Sequence, residues 1–275
     1  MPTKKEEETA MAPVEEMALT FSASDFADLA TASNSVAGLE NIDSSDIVMP
    51  KVKLLQATSL ESNKGLGRPG EFLNTTTGEV ADMSDLILLC MQHSRIRFKQ
   101  PFNRGEAPLC RSLDGIKSTD GVLCKTCQYA DWDNIAEGKT KPDCNLGYTW
   151  LAMPYSETGE YTIPFRIIIA GAGISEMKKF ITNVNCTASP LGLPMWVFRY
   201  SATSEQVEKD GNIFYVPKFS MKKNADGSPM FINPKFKDQI KGVFESWTAM
   251  MSQINKFDLD NADEMASADT EGAIF

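Results

Sequence analysis

The chain has one histidine, His93, among 275 residues. A single imidazole argues against His-dependent triads and against catalytic metal sites built on several imidazoles. No apolar run approaches the ~18 residues that a membrane helix needs, so a soluble protein with no membrane partner is expected. There is no P-loop, no GxGxxG after a strand and no paired acidic metal motif, and an enzyme is not expected. The first residues, Met-Pro-Thr-Lys-Lys-Glu-Glu-Glu, lack an apolar core and do not read as a secretory signal. A reducing, cytoplasmic setting follows as an expectation.

Cysteine is what the chain does have in a pattern. Four of its six cysteines, Cys110, Cys124, Cys127 and Cys144, fall in one 35-residue stretch spaced C-x13-C-x2-C-x16-C. Two residues between Cys124 and Cys127 let one tight turn present both sulfurs to one ion. Four thiolates suit tetrahedral Zn2+, and four ligands with no open position imply one structural ion rather than a catalytic one. Two disulfides, or plain core thiols, are the competing readings. Disulfides need an oxidising compartment. Cys90 and Cys186 stand alone in apolar surroundings and read as inert core residues.

Charge is unevenly spread. The net charge is −10, yet residues 1–50 carry −8, residues 258–275 carry −6 and the body between them carries +4. Residues 1–46 are rich in Glu, Ala, Ser and Thr with scattered large apolars, and such a segment cannot bury enough surface to repay its ordering. A disordered acidic arm is expected there, with a transient helix over 24–32. An ordered domain is expected over 47–257, with a zinc module at 105–146. A disordered acidic tail is expected over 258–275.

Within the body, strands are expected at 49–55, 85–91, 94–99, 147–153, 161–170, 195–200 and 213–219 from apolar runs and alternation. Pro164 argues for a bulge or an edge position in its strand. A short helix is expected over 175–184. A longer one opens at Asn233-Pro234, with Asn233 as cap and Pro234 at the first position. Its stripe of Phe236, Ile240, Val243, Phe244, Trp247 and Met251 reads as core. The fold class expected is mainly β (α+β). It is an OB-like antiparallel barrel with a four-cysteine zinc insertion, a short helix and a C-terminal helix, flanked by acidic disordered termini.

Residues 94–99, Ser-Arg-Ile-Arg-Phe-Lys, alternate strictly. As a strand they put Arg95, Arg97 and Lys99 on one face and Ile96 and Phe98 on the other. One reading is a half-buried strand with a solvated basic face. The other is a strip of cations at regular spacing that tracks a nucleic-acid backbone.

The last residues bear on that choice. Six acids without a base precede Gly272-Ala273-Ile274-Phe275. An ordinary frayed terminus is one account; an apolar tip on an acidic linker, able to dock into a basic-rimmed pocket, is another. This tail resembles the C-terminal tails of bacterial and bacteriophage single-stranded DNA-binding proteins. The body is similar to bacteriophage relatives of that class in residues 49–56, 70–74 and the cysteine module. The resemblance implies an OB fold with a bound zinc, in a phage protein acting in host cytoplasm. It also implies a tail, with Ala273, Ile274 and Phe275 as its docking tip, that recruits replication proteins such as polymerase, helicase or primase. The cysteine spacing and the missing histidine ligand depart from the zinc motif of that class, so residue roles do not carry over.

The function expected is binding of single-stranded DNA without strong sequence preference, in replication, recombination or repair. Arg95, Arg97, Lys99, Arg104, Arg166, Arg199 and Lys218 are candidate phosphate contacts. Tyr148, Trp150 and Tyr215, with Phe98 and Tyr200, are candidate stacking residues, although one face of each strand must fill the core. Lys117, Lys125, Lys139, Lys141 and Trp132 of the cysteine loop extend the track. The alternative is a zinc-containing protein-interaction or transcription-regulating module that docks onto a polymerase or replication protein.

Overall fold

The computed structural model describes residues 50–254 except 102–106, 113, 134, 136–141, 160–162 and 210. The expected arm at 1–46, the tail with Ala273, Ile274 and Phe275, and Arg104, Lys139 and Lys141 lie outside the described residues. The chain divides between Ile47 and Val48, and every described residue lies on the C-terminal side of that division.

Among the described residues nine strands form one sheet. They are β1 (Lys51–Leu54), β2 (Phe72–Asn74), β3 (Glu79–Val80), β4 (Leu86–Arg97), β5 (Cys110–Ser112), β6 (Asn145–Pro154), β7 (Phe165–Ala170), β8 (Tyr200–Lys209) and β9 (Asn212–Met221). Their order is β3-β2-β1-β7-β6-β4-β8-β9, and off this path β5 pairs with the C-terminal end of β4, whose N-terminal end pairs with β8. Pairing is antiparallel except between β1 and β7. A mainly β, curled sheet is therefore present, with one parallel contact that the expected antiparallel barrel lacks.

Helices cover both faces. α1 (Leu60–Asn63) is a single turn, whereas α2 (Gly173–Leu191) and α3 (Lys237–Ile254) are long. Each strand's period of two divides its side chains between them. Leu86 and Leu88 of β4 and Trp150 and Ala152 of β6 join Phe180, Val184 and Ala188 of α2 in the main core. Ile87, Leu89, Leu151 and Met153 point the other way, against Ile240 of α3, with Val243, Phe244 and Trp247 packed around it. Burial on both faces is why the Leu-Ile-Leu-Leu run of β4 shows no alternation.

The sheet curls until its β9 edge meets the segments flanking β1 and β2. The Gln56 amide donates to the Tyr215 carbonyl at 2.9 Å and accepts from the Tyr215 N–H at 2.8 Å. Ser204 Oγ donates to the Gly70 carbonyl at 2.6 Å. One side chain thus stands in for a missing ladder partner on β9. Gly70 has φ +92°, and a Cβ there would lie 2.7 Å from the Tyr215 ring, so this approach requires glycine.

Several expectations are corrected. The two strands at 85–91 and 94–99 are one, β4, continuous through the polar Gln92-His93-Ser94 and bulged between Leu88 and Cys90. The helix expected over 175–184 runs to Leu191, because Val184 and Ala188 extend the buried stripe of Phe180 by successive turns. Pro190 is accommodated in its last turn, and Gly192 ends it at φ +63°. Residues 195–197 form a 3-10 turn, and the strand lies instead in the polar β8, whose partner β9 supplies its ladder. Pro164 precedes β7, which is an interior strand between β1 and β6. The C-terminal helix agrees with expectation: Asn233 Oδ1 accepts from the Lys235 N–H at 3.1 Å, and α3 follows a Pro234–Phe236 turn.

Candidate metal centre and nucleic-acid interface

The cysteine module is braced by its own short-range bonds. Ser112 Oγ donates to the Lys117 carbonyl at 2.8 Å and to Asp114 Oδ1 at 3.1 Å. Asp114 Oδ1 accepts from the N–H groups of Ile116 and Lys117 at 2.7 and 3.0 Å. The knuckle is a 3-10 turn over Cys124–Thr126, in which the Cys127 N–H donates to the Cys124 carbonyl at 3.3 Å. The Cys144 N–H donates to the Tyr129 carbonyl at 2.8 Å and so ties the fourth cysteine to the knuckle. Cys110 enters on β5, opposite Arg97 of β4.

These restraints bring all four cysteines to the wall of one cavity of about 20 Å3, which Arg95, Ser112 and Ser118 also line. The thiols are free. Among the described residues no group of three or more His, Cys, Asp or Glu side chains is set to hold a metal ion. Burial pushes the Cys144 thiol up to about 11 against the pull of Arg95, and it raises Cys110 against Ser118 and Arg97. The donor set itself fits a tetrahedral thiophilic ion: four sulfurs, no carboxylate on the cavity wall and a space of single-ion size.

Among the described residues the candidate DNA contacts are spread over β4, β7, the start of β8 and β9. Opposed residues of adjacent strands share a face, so Arg95, Arg97, Cys110 and Ser112 lie together and the cysteine module covers the strip expected to be open. The Arg97 guanidinium sits 3.6 Å from the centre of the Tyr129 ring. Lys99 is exposed. Arg166 is buried on β7 beside Lys51 of β1. Arg199 grips Asp85 with two nitrogens, bonds Glu157 at 2.8 Å and stacks on Tyr155 at 4.0 Å. It is a structural tie between the starts of β4 and β8. Lys218 pairs with Glu205 across the β8–β9 hairpin.

Most of the stacking candidates lie in the core. Trp150 is 2% exposed, stacked near Phe219 and edge-on to Phe180, with its indole N–H on Met177 sulfur at 2.9 Å. Tyr148, Tyr200 and Phe98 are buried as well. They pack in the core with α2 or in the apolar patch of Ile96. Tyr215 is half-buried and engaged by Gln56, and its hydroxyl bonds Gln206 at 3.1 Å. What is exposed instead is Trp132, at 67%, and Tyr129, at 40%.

A family model described as Pam3 phage gp34-like protein matches residues 14–246. The chain belongs to this phage family. The match spans the whole sheet, the cysteine module and the first turns of α3, and it ends before the acidic residues 258–275. No curated protein and no solved structure matches the chain. Among the described residues no helix is long and apolar enough to cross a membrane.

In this family member the exposed apolar surface concentrates on the cysteine module. Leu109, Ile116, Val122, Leu123, Tyr129 and Trp132 all lie on it, out of fourteen large apolar residues exposed among those described. Lys117 and Lys125 are exposed on the same module. Trp132 is among the residues expected to extend the track, and the ring beside it that was not expected is Tyr129, in a segment with no core pattern to absorb it.

Proposed function

We propose that this phage protein binds single-stranded DNA, without catalysis, through the exposed surface of its cysteine module. The observation that carries the reading is the pair of aromatic rings: Trp132 stands open, and Tyr129 is half-open with Arg97 behind its ring. Aromatic rings beside cations stack successive bases with little sequence preference. Lys99, Lys117 and Lys125 are the nearby cations for phosphates. The acids Asp114, Asp120, Asp131 and Asp133 share the module, so stacking outweighs charge in this interface.

Cys110, Cys124, Cys127 and Cys144 hold one structural Zn2+ in this proposal. When bound, the ion supplies a fixed crosslink among four chain positions and no reaction chemistry. The chain's own residues do the rest: the knuckle orients two sulfurs, β5 and β6 present the outer pair, and the module keeps its rings facing solvent. The acidic segment 258–275, with Ala273, Ile274 and Phe275 at its tip, recruits a replication partner such as a polymerase, helicase or primase.

A second reading is docking of the module onto a replication protein, and the exposed Leu109, Ile116, Val122 and Leu123 favour it. Photocrosslinking with a halogenated oligo(dT) separates the two. Crosslinks mapped to Trp132 or Tyr129 support DNA binding there. Crosslinks confined to other segments, or none at low salt, refute it and leave the docking reading.

A further inference from the structure

The cations of β4 were candidates for phosphate contacts, yet their neighbours are thiols. Arg95 lines the cavity that the four cysteines share. Cys144 lines the same cavity, and the positive charge of Arg95 pulls against the burial that raises its thiol. Arg97 lies directly opposite Cys110 in the β4–β5 register, on the cavity's face of the sheet, and is held there by the Tyr129 ring. Ser118 lines the same cavity beside Cys110. Arg95 therefore stands on the thiol cavity and Arg97 two residues further along the same face, on a strand anchored on its other edge by β6.

Charge explains why arginines stand there. Four thiolates around a divalent ion leave two net negative charges in a partly buried place. Uncompensated charge in such a place is costly. Arg95 and Arg97 supply two positive charges. Guanidinium stays protonated at every physiological pH and presents several donors in a fixed fork. Donors placed around metal-bound ligands orient them and tune affinity.

We infer that Arg95 is a positioning residue of a tetrathiolate zinc centre, with Arg97 as its partner in charge, and that Arg95 is not a DNA contact. The inference rests on the reading of the four cysteines as a zinc site. It assigns the β4 cations to the metal module and leaves the lysines of the loop for nucleic acid.

The test compares the full chain with Arg95→Gln and Arg95→Lys. Metal content comes first: wild-type protein with well under one zinc per chain overturns the zinc reading itself. With zinc present, release to a chromophoric chelator is timed for each variant. Arg95→Gln should release zinc about tenfold faster or more, and Arg95→Lys, which keeps the charge, should recover much of the loss. The slope of log affinity for oligo(dT) against log salt should be the same in all three proteins. Unchanged zinc release in Arg95→Gln overturns the inference alone. So does a salt slope shallower by about 0.7, the share of one phosphate contact on a single strand. Circular dichroism identifies a variant that fails to fold, and Arg95→Lys then carries the comparison.

Discussion

Two tryptophans should give opposite phenotypes. Trp132 is 67% exposed and on the cysteine module, whereas Trp150 is 2% exposed at the centre of the sheet. Truncating Trp132 to alanine removes no buried contact and leaves no cavity, so stability should change by less than about 0.5 kcal/mol. Its loss should cost one stacked base, about 1–3 kcal/mol, or about 5- to 150-fold in Kd. Trp132→Phe keeps a ring and should lose less. Trp150→Ala deletes an indole packed on Phe180, Phe219 and Met177, and should cost about 3–5 kcal/mol of stability. Anisotropy of labelled oligo(dT) at low salt reads affinity, and thermal melting reads stability. Unchanged affinity in both Trp132→Ala and Tyr129→Ala refutes the placement of the interface on this module.

Three further outcomes follow from the geometry. Gln56→Ala removes both hydrogen bonds that close the sheet onto Tyr215, for a loss of about 2 kcal/mol and a Tm lower by about 4–8 °C; an unchanged Tm refutes the clasp. Asp85 is pushed up by burial but held below its usual range overall by Arg199 and Lys222. Its contribution is therefore present above the unfolded value of about 3.9 and is lost as pH falls through the lower folded value. Asp85→Asn should flatten that acid limb of a Tm–pH profile and cost about 2–3 kcal/mol at neutral pH; an acid limb like wild type refutes the pairing. Cys124→Ser, or stripping with a strong chelator, should abolish one zinc per chain and weaken oligo(dT) binding while the far-ultraviolet dichroism of the sheet persists. Equal binding by the metal-free protein refutes the module's role.

How much of this was legible in the sequence depends on whether a pattern is local. The Leu-Ile-Leu-Leu run and the Asn233-Pro234 helix start are local signals, and both elements are present where they point. The Cys-x2-Cys spacing fixed a turn, and the long spacings on either side carried no geometry until β5 and β6 set them on one cavity wall. Strand β8, Ser-Ala-Thr-Ser-Glu-Gln-Val-Glu after Tyr200, has too few apolar residues to announce itself, because its ladder comes from β9. The same limit explains the stacking candidates. Tyr148 and Trp150 alternate along a strand, and alternation reveals two faces without saying which one a helix covers. The answer lay in α2, over 20 residues further along the chain, whose Met177, Phe180 and Val184 fill that face. Arg199 looked free in sequence because Asp85, its partner, is 114 residues away.

The central claim meets its most direct test in a titration of intrinsic tryptophan fluorescence with oligo(dT) at two salt concentrations. Of the four tryptophans, Trp132 is the exposed one among the described residues, so quenching should be strong in wild type and nearly absent in Trp132→Ala. Three lysines, Lys99, Lys117 and Lys125, set a log–log salt slope of about −2 on a single strand. A saturable quench with a slope near that value, equal for oligo(dT) and mixed-sequence strands, is the predicted result. No quench at low salt contradicts the account, and so does a quench that survives intact in Trp132→Ala.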